Sequence, residues 1–143
     1  MNVHSAKGAS RSGLLVIELL IATAVFSLCA AICTGLFVRA DAVSRESAAL
    51  SHAVAAAQNA AECFKAAGGD PARTAALAGG TVTADGTVVL GYDADWALTD
   101  DKPAYTVTLR PEAADGYRRA SVIAADAQET LYTLPAAARE DVP

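Results

Sequence analysis

The sequence predicts an α+β chain: one long N-terminal helix, transmembrane in its first half, packed on a small antiparallel β-sheet. Three observations carry this. Residues 14–38 are apolar except for one carboxylate, Glu18. Residues 39–67 contain no proline and repeat apolar residues at helical spacing. From Thr81 onward the pattern changes to short alternating runs separated by turns rich in glycine and aspartate.

Composition bounds the rest. A chain of 143 residues has room for one small domain plus an additional element. Hydrophobic residues make up 53%, much of it alanine, and aromatics only 6%, so any globular core is modest. A net charge of −5 argues against a nucleic-acid partner, because phosphate contacts need clustered Lys and Arg. Cys29 and Cys33 fall in the apolar run and Cys63 lies beyond it. This odd count reads as small buried hydrophobes rather than a disulfide framework.

The apolar run comes first. Leu14 to Val38 is 25 residues, or ~37 Å of helix, enough to cross a hydrocarbon core of ~30 Å with some tilt. Lys7 and Arg11 precede it without an acid, and Arg39, Asp41, Arg45 and Glu46 form a mixed flank after it. That asymmetry predicts a cytoplasmic N-terminus and an extracytoplasmic C-terminal domain. An ordinary secretory signal has a shorter apolar region and no carboxylate, and Val38-Arg39 intrudes before the one candidate site, Ala40-Asp41-Ala42. A plain signal anchor accounts for length and flanks but leaves Glu18 unexplained, since a carboxylate in a membrane is costly. The helix macrodipole would stabilise an acid near the N-terminus, but it does not account for the glycine junction beside it.

That junction is specific. Lys7, Arg11 and Ser12 lead to Gly13, the apolar run starts at Leu14 with no spacer, and Glu18 is the fifth residue counted from Leu14. The segment G-L-L-V-I-E-L-L-I-A resembles the prepilin-type N-terminal cleavage and methylation signal of type IV pilins. It departs in having Leu14 where phenylalanine is usual and Leu15 where threonine is frequent. The resemblance implies that residues 1–13 are a leader. It implies that a prepilin peptidase cuts between Gly13 and Leu14, and that the new Leu14 amine is N-methylated. It further implies that Glu18 meets the Leu14 amine of a neighbouring subunit during assembly.

Residues 39–67 are expected to continue the helix as an amphipathic segment. Val43, Ser47, Leu50, Val54, Ala57, Ala61 and Phe64 share one face, with Arg45, Glu46, Ser51, Gln58, Asn59 and Glu62 on the other. Gly68-Gly69 signals its end. Within a linker, residues 68–80, Asp70 is placed to cap a short helix that has Pro71 in its first position and ends at Gly79-Gly80. His4 and His52 have no metal-ligating partner at helical spacing.

The sheet is expected over residues 81–135, with four or five strands. Ala84-Asp85-Gly86 turns TVT into TVVLGY, and further runs lie at 104–110, 117–127 and 129–134. The face from Val43 to Phe64 is the available cover for one side of the sheet, and residues 136–143 read as a frayed tail. A long N-terminal helix on a small antiparallel sheet is the layout of type IV pilins and type II secretion pseudopilins. The absence of paired C-terminal cysteines favours a minor pilin or pseudopilin. Partners implied by the resemblance are the prepilin peptidase, other pilin or pseudopilin subunits, an inner-membrane assembly platform and the lipid bilayer.

No G-x-S-x-G, P-loop or H-E-x-x-H pattern occurs, so no enzymatic activity and no cofactor are expected. Asp93, Asp95, Asp100 and Asp101 surround Trp96. Carboxylates at such spacing can hold calcium, as in some major pseudopilins, but the EF-hand glycine and glutamate are missing. A solvated acidic loop is the preferred reading and no metal is assigned. Trp96 is expected as a core plug, and Arg118-Arg119 as a strand edge. The resulting expectation is a non-enzymatic filament subunit. A single-pass anchored binding protein with an extracytoplasmic β domain is the alternative, and a secreted domain is the third reading.

Overall fold

The computed structural model describes residues 6–112 and 116–139. Helix α1 runs unbroken from Ala6 to Ala66, 61 residues. It therefore begins before Leu14, where the sequence placed its start. Gly8 and Gly13 each cost a helix about 1 kcal/mol relative to alanine, which weakens but does not stop propagation. Residues 1–5 of the expected leader lie outside the described residues. The chain divides into two units, Met1–Arg45 and Glu46–Pro143.

In the first unit every side chain from Leu14 to Arg45 is exposed. Leucine, isoleucine, valine and phenylalanine cover its surface, and the helix is long and apolar enough to cross a membrane. Its hydroxyls are satisfied within the helix: Thr23 donates to the carbonyls of Leu19 and Leu20 (both 3.0 Å), Ser27 to that of Thr23 (2.8 Å) and Thr34 to that of Ala30 (2.9 Å). Such back-bonding lets polar side chains lie in an apolar medium without an orphaned donor. Cys29 and Cys33, expected to be buried, are exposed.

The second unit joins the end of α1 to a five-stranded sheet. Strands β1 (Thr81–Val82), β2 (Val88–Tyr92), β3 (Tyr105–Glu112), β4 (Arg118–Asp126) and β5 (Thr130–Ala138) pair in chain order, every neighbour antiparallel. Alternation puts Val88, Leu90, Val107, Leu109, Val122 and Ala124 on one buried face, in register across the strands as Val88↔Leu109↔Val122 and Leu90↔Val107↔Ala124. Against them α1 contributes Ala53, Ala57, Ala60, Ala61 and Phe64, and Phe64 is the largest fully buried side chain. Cys63 is half-buried at the margin of this core.

Two expectations are corrected here. The covered helix face begins at Ala53. Val43 and Leu50 stay 63% and 44% exposed and Val54 is only half-buried. Ala57, Ala61 and Phe64 of the expected stripe are buried, whereas Val43, Ser47 and Leu50 at its upper end stay exposed; alanines carry no size signal, so the larger valine and leucine extended the stripe too far toward the N-terminus. The sheet also extends past residue 135. Ala136 and Ala138, assigned to a frayed tail, pair with Ala120 and Arg118 and are 5% and 3% exposed. Strand register outweighs alanine's poor intrinsic β preference. Pro135 is tolerated because β5 is an edge strand, where a missing N–H need not break the ladder. Residues 140–143 of that tail lie outside the described residues.

The punctuation between elements follows the sequence. α1 ends at Gly68 and Gly69, both left-handed (φ 63° and 79°), and the Gly69 amide closes onto the Phe64 carbonyl at 2.9 Å. Helix α2 (Pro71–Ala78) is capped by Asp70, whose carboxylate accepts the Arg73 amide at 3.0 Å. Asp85 gathers the Thr83 and Thr87 hydroxyls at the β1–β2 turn, beside left-handed Gly86.

Candidate functional site

The three residues expected to direct processing and assembly sit on α1. The Gly13–Leu14 bond is helical in the full chain, and Leu14 is 65% exposed. Leu14, Ile17, Glu18, Ile21 and Ala22 line one strip of the helix surface, as spacings of three and four require. Glu18 has no ion-pair or hydrogen-bond partner among the described residues. In water that is harmless; in a bilayer an unpaired carboxylate is expensive. Leu14 lies four residues before Glu18, about 6 Å along the axis. In the intact chain its nitrogen is a neutral peptide amide, and it becomes a cation only if the chain is cut after Gly13.

The four aspartates of the loop after β2 are not gathered. Asp93 uses one carboxylate oxygen to accept the amides of Asp95 and Ala97, both at 2.9 Å, which shapes the loop itself. Among the described residues no group of three or more His, Cys, Asp or Glu is positioned to hold a metal ion. Asp95, Asp100 and Asp101 are exposed.

Trp96 is half-buried against the core, in the left-handed region (φ 61°) that side chains adopt only under tertiary constraint. Its ring stacks on Tyr105 (centroids 4.2 Å apart, planes at 15°) and on His52 of α1 (5.7 Å, 20°), with Tyr92 tilted alongside. Burial, with a smaller contribution from nearby Cys63, pushes the Tyr92 hydroxyl pKa upward. The sequence marks Trp96 as a plug but carries no signal for this stack, which brings His52 of α1 onto aromatic rings more than forty residues later in the chain. Arg118 opens β4 as expected; its guanidinium donates to the Gly69 carbonyl at 3.3 Å and its stem covers that glycine. Arg119 lies over the Tyr117 ring at 4.7 Å.

No family model matches the chain, and comparison with curated proteins and with solved structures finds no match either.

Proposed function

We propose that this chain is a structural subunit, of minor-pilin or pseudopilin type, of a type IV pilus-like or type II secretion filament. The observation that carries the reading is Glu18: an acid with no partner among the described residues, just over one helical turn from the Gly13–Leu14 junction, on a helix otherwise suited to a bilayer. In this reading the chain crosses the membrane once, N-terminus inside, and a prepilin peptidase removes residues 1–13. The Leu14 amine, N-methylated, becomes the cation that a neighbour's Glu18 neutralises as subunits join on an assembly platform. The apolar helices form the dry interior of the filament, and the sheet domain supplies its surface. The protein is a substrate and a building block, not an enzyme.

Replacing Glu18 by alanine tests this. The reading expects the variant to insert into the membrane as the unaltered chain does, and to fail to join filaments. Filament incorporation at the unaltered level would remove Glu18 from any assembly role.

A further inference from the structure

We propose that residues 93–104 form a strap over β2 whose closure is governed by the charge on His52: an imidazolium holds Trp96 and the strap shut, and a neutral imidazole relaxes them. The device lies wholly within the second unit and does not depend on the filament reading.

The strap is closed by few bonds and against backbone preference. Thr99 and Ala104 donate their amides to the Gly91 and Tyr92 carbonyls of β2 at 2.9 and 2.8 Å, and the Asp93 amide donates to the Ala97 carbonyl at 2.9 Å. Trp96 and Lys102 are both left-handed (φ 61° and 43°), a conformation that non-glycine residues keep only when contacts hold them there. Trp96 is held by its ring, which stacks on Tyr105 and reaches α1 through His52, 5.7 Å away and inclined by 20°. One restraint on the strained tryptophan is therefore an exposed histidine.

Imidazole ordinarily changes charge between about pH 5 and 8. A cation within about 6 Å of a tryptophan ring is drawn to its π face. His52 has no ion-pair partner among the described residues. On its own helix, residues 47–57 carry no other charge; Arg45 and Glu46 lie about two turns before it and Glu62 nearly three turns after. From the strap, Asp93 and Asp95 flank Trp96 and favour a cation beside it, with Asp93 tied to the Asp95 and Ala97 amides. Asp100, Asp101 and Lys102 lie farther along the strap. The strands bring the phenols of Tyr92 and Tyr105, and burial pushes the Tyr92 hydroxyl pKa upward, partly beside Cys63, so Tyr92 stays neutral in this range. Protonation of His52 thus strengthens the closed stack. Closure is favoured at low pH and relaxes as pH rises through the imidazole range. At an exposed site this changes the opening equilibrium about two- to fivefold. The strap carries the exposed carboxylates of Asp95, Asp100 and Asp101, so the histidine governs how an acidic surface is presented.

The test is amide hydrogen exchange of the full chain in detergent micelles at about pH 5.5 and about pH 7.5. Rates are corrected for intrinsic exchange at each pH and read relative to the amides that pair β3 with β4, so that a change in overall stability cancels. The unaltered chain is expected to protect the Thr99 and Ala104 amides about two- to fivefold more at the lower pH. His52→Gln takes up no proton in this range and should show the lower protection at both. His52→Arg supplies a permanent planar cation and should show the higher protection at both. His52 is exposed, so neither substitution opens a cavity. A pH response retained in His52→Gln would assign it to the carboxylates of the strap and overturn the proposal. So would an unaltered chain that protects these amides equally at the two pH values or better at the higher one, or a His52→Arg chain no better protected than His52→Gln.

Discussion

Truncating Phe64 to alanine should weaken the second unit more than truncating any other described residue of α1. Phe64 has no solvent exposure, and the other buried residues of α1 are alanines, so no neighbour on the helix is large enough to fill the space it leaves. Phenylalanine-to-alanine changes in well-packed cores cost about 3–5 kcal/mol, the lost transfer energy plus a residual cavity. Domains of this size are stable by about 5–15 kcal/mol, so one substitution removes a large share. The paired control is Val43→Ala. Val43 belongs to the same stripe by sequence spacing but is 63% exposed, so its change is expected to cost less than about 0.5 kcal/mol. The chain has a single tryptophan, and Trp96 packs against the core that Phe64 fills. Urea unfolding of the full chain in detergent micelles, followed by tryptophan fluorescence, therefore reads the relevant unit directly. The midpoint should fall sharply for Phe64→Ala with little change in slope. A loss under about 1 kcal/mol for Phe64→Ala, or equal losses for the two variants, would refute the assignment of the covered face to Ala53–Phe64.

Two further outcomes are expected. A Cβ at Gly91 would collide with the Thr99 carbonyl oxygen and lie 3.0 Å from Pro103 Cβ, so Gly91→Ala must displace the loop that folds over β2. It should cost about 1–3 kcal/mol in the same urea titration, and an unchanged midpoint would mean that the loop does not pack there. Acid should also destabilise the domain. The Arg73 amide holds the Asp70 carboxyl below its ordinary value of 3.8, the Thr83 and then Thr87 hydroxyls do so for Asp85, and the Glu129 and then Gln128 amides do so for Asp126. With folded-state values depressed, the folded chain binds fewer protons than the unfolded one. This stabilisation is present above the ordinary carboxyl range and is lost as pH falls through the depressed values. Thermal midpoints measured from pH 6 to pH 2 should fall below about pH 4, and replacing all three residues by asparagine should flatten that decline; an unchanged decline would assign it to other groups.

Much of this fold was legible because the punctuation is local. Asp70-Pro71 and Gly79 delimit α2 by capping and by φ, and Asp85-Gly86 makes its turn from its own side chains. Neither needs distant contacts. The strands alternate because one face is covered. The parts that were not legible depend on tertiary choice. An alanine-rich helix offers several faces of nearly equal quality, and the sheet selects the one from Ala53. Ala136–Ala138 becomes strand only because the start of β4 lies beside it. The close approach of the Thr99 carbonyl to Gly91 and the stack of His52, Trp96 and Tyr105 have no sequence spacing to announce them. Glu18 was conspicuous from the outset because its cost in an apolar run needs no fold to calculate. The aspartates around Trp96 were candidates by composition alone; the structure turns Asp93 inward to its own loop amides and leaves the others ungathered.

The most direct test of the filament reading is the N-terminal residue of the mature protein, determined by mass spectrometry of chains isolated from membranes. The reading predicts N-methylated Leu14. An intact Met1 would make the chain a plain membrane anchor, a start at Val43 would make it a secreted domain, and either result would contradict the filament reading.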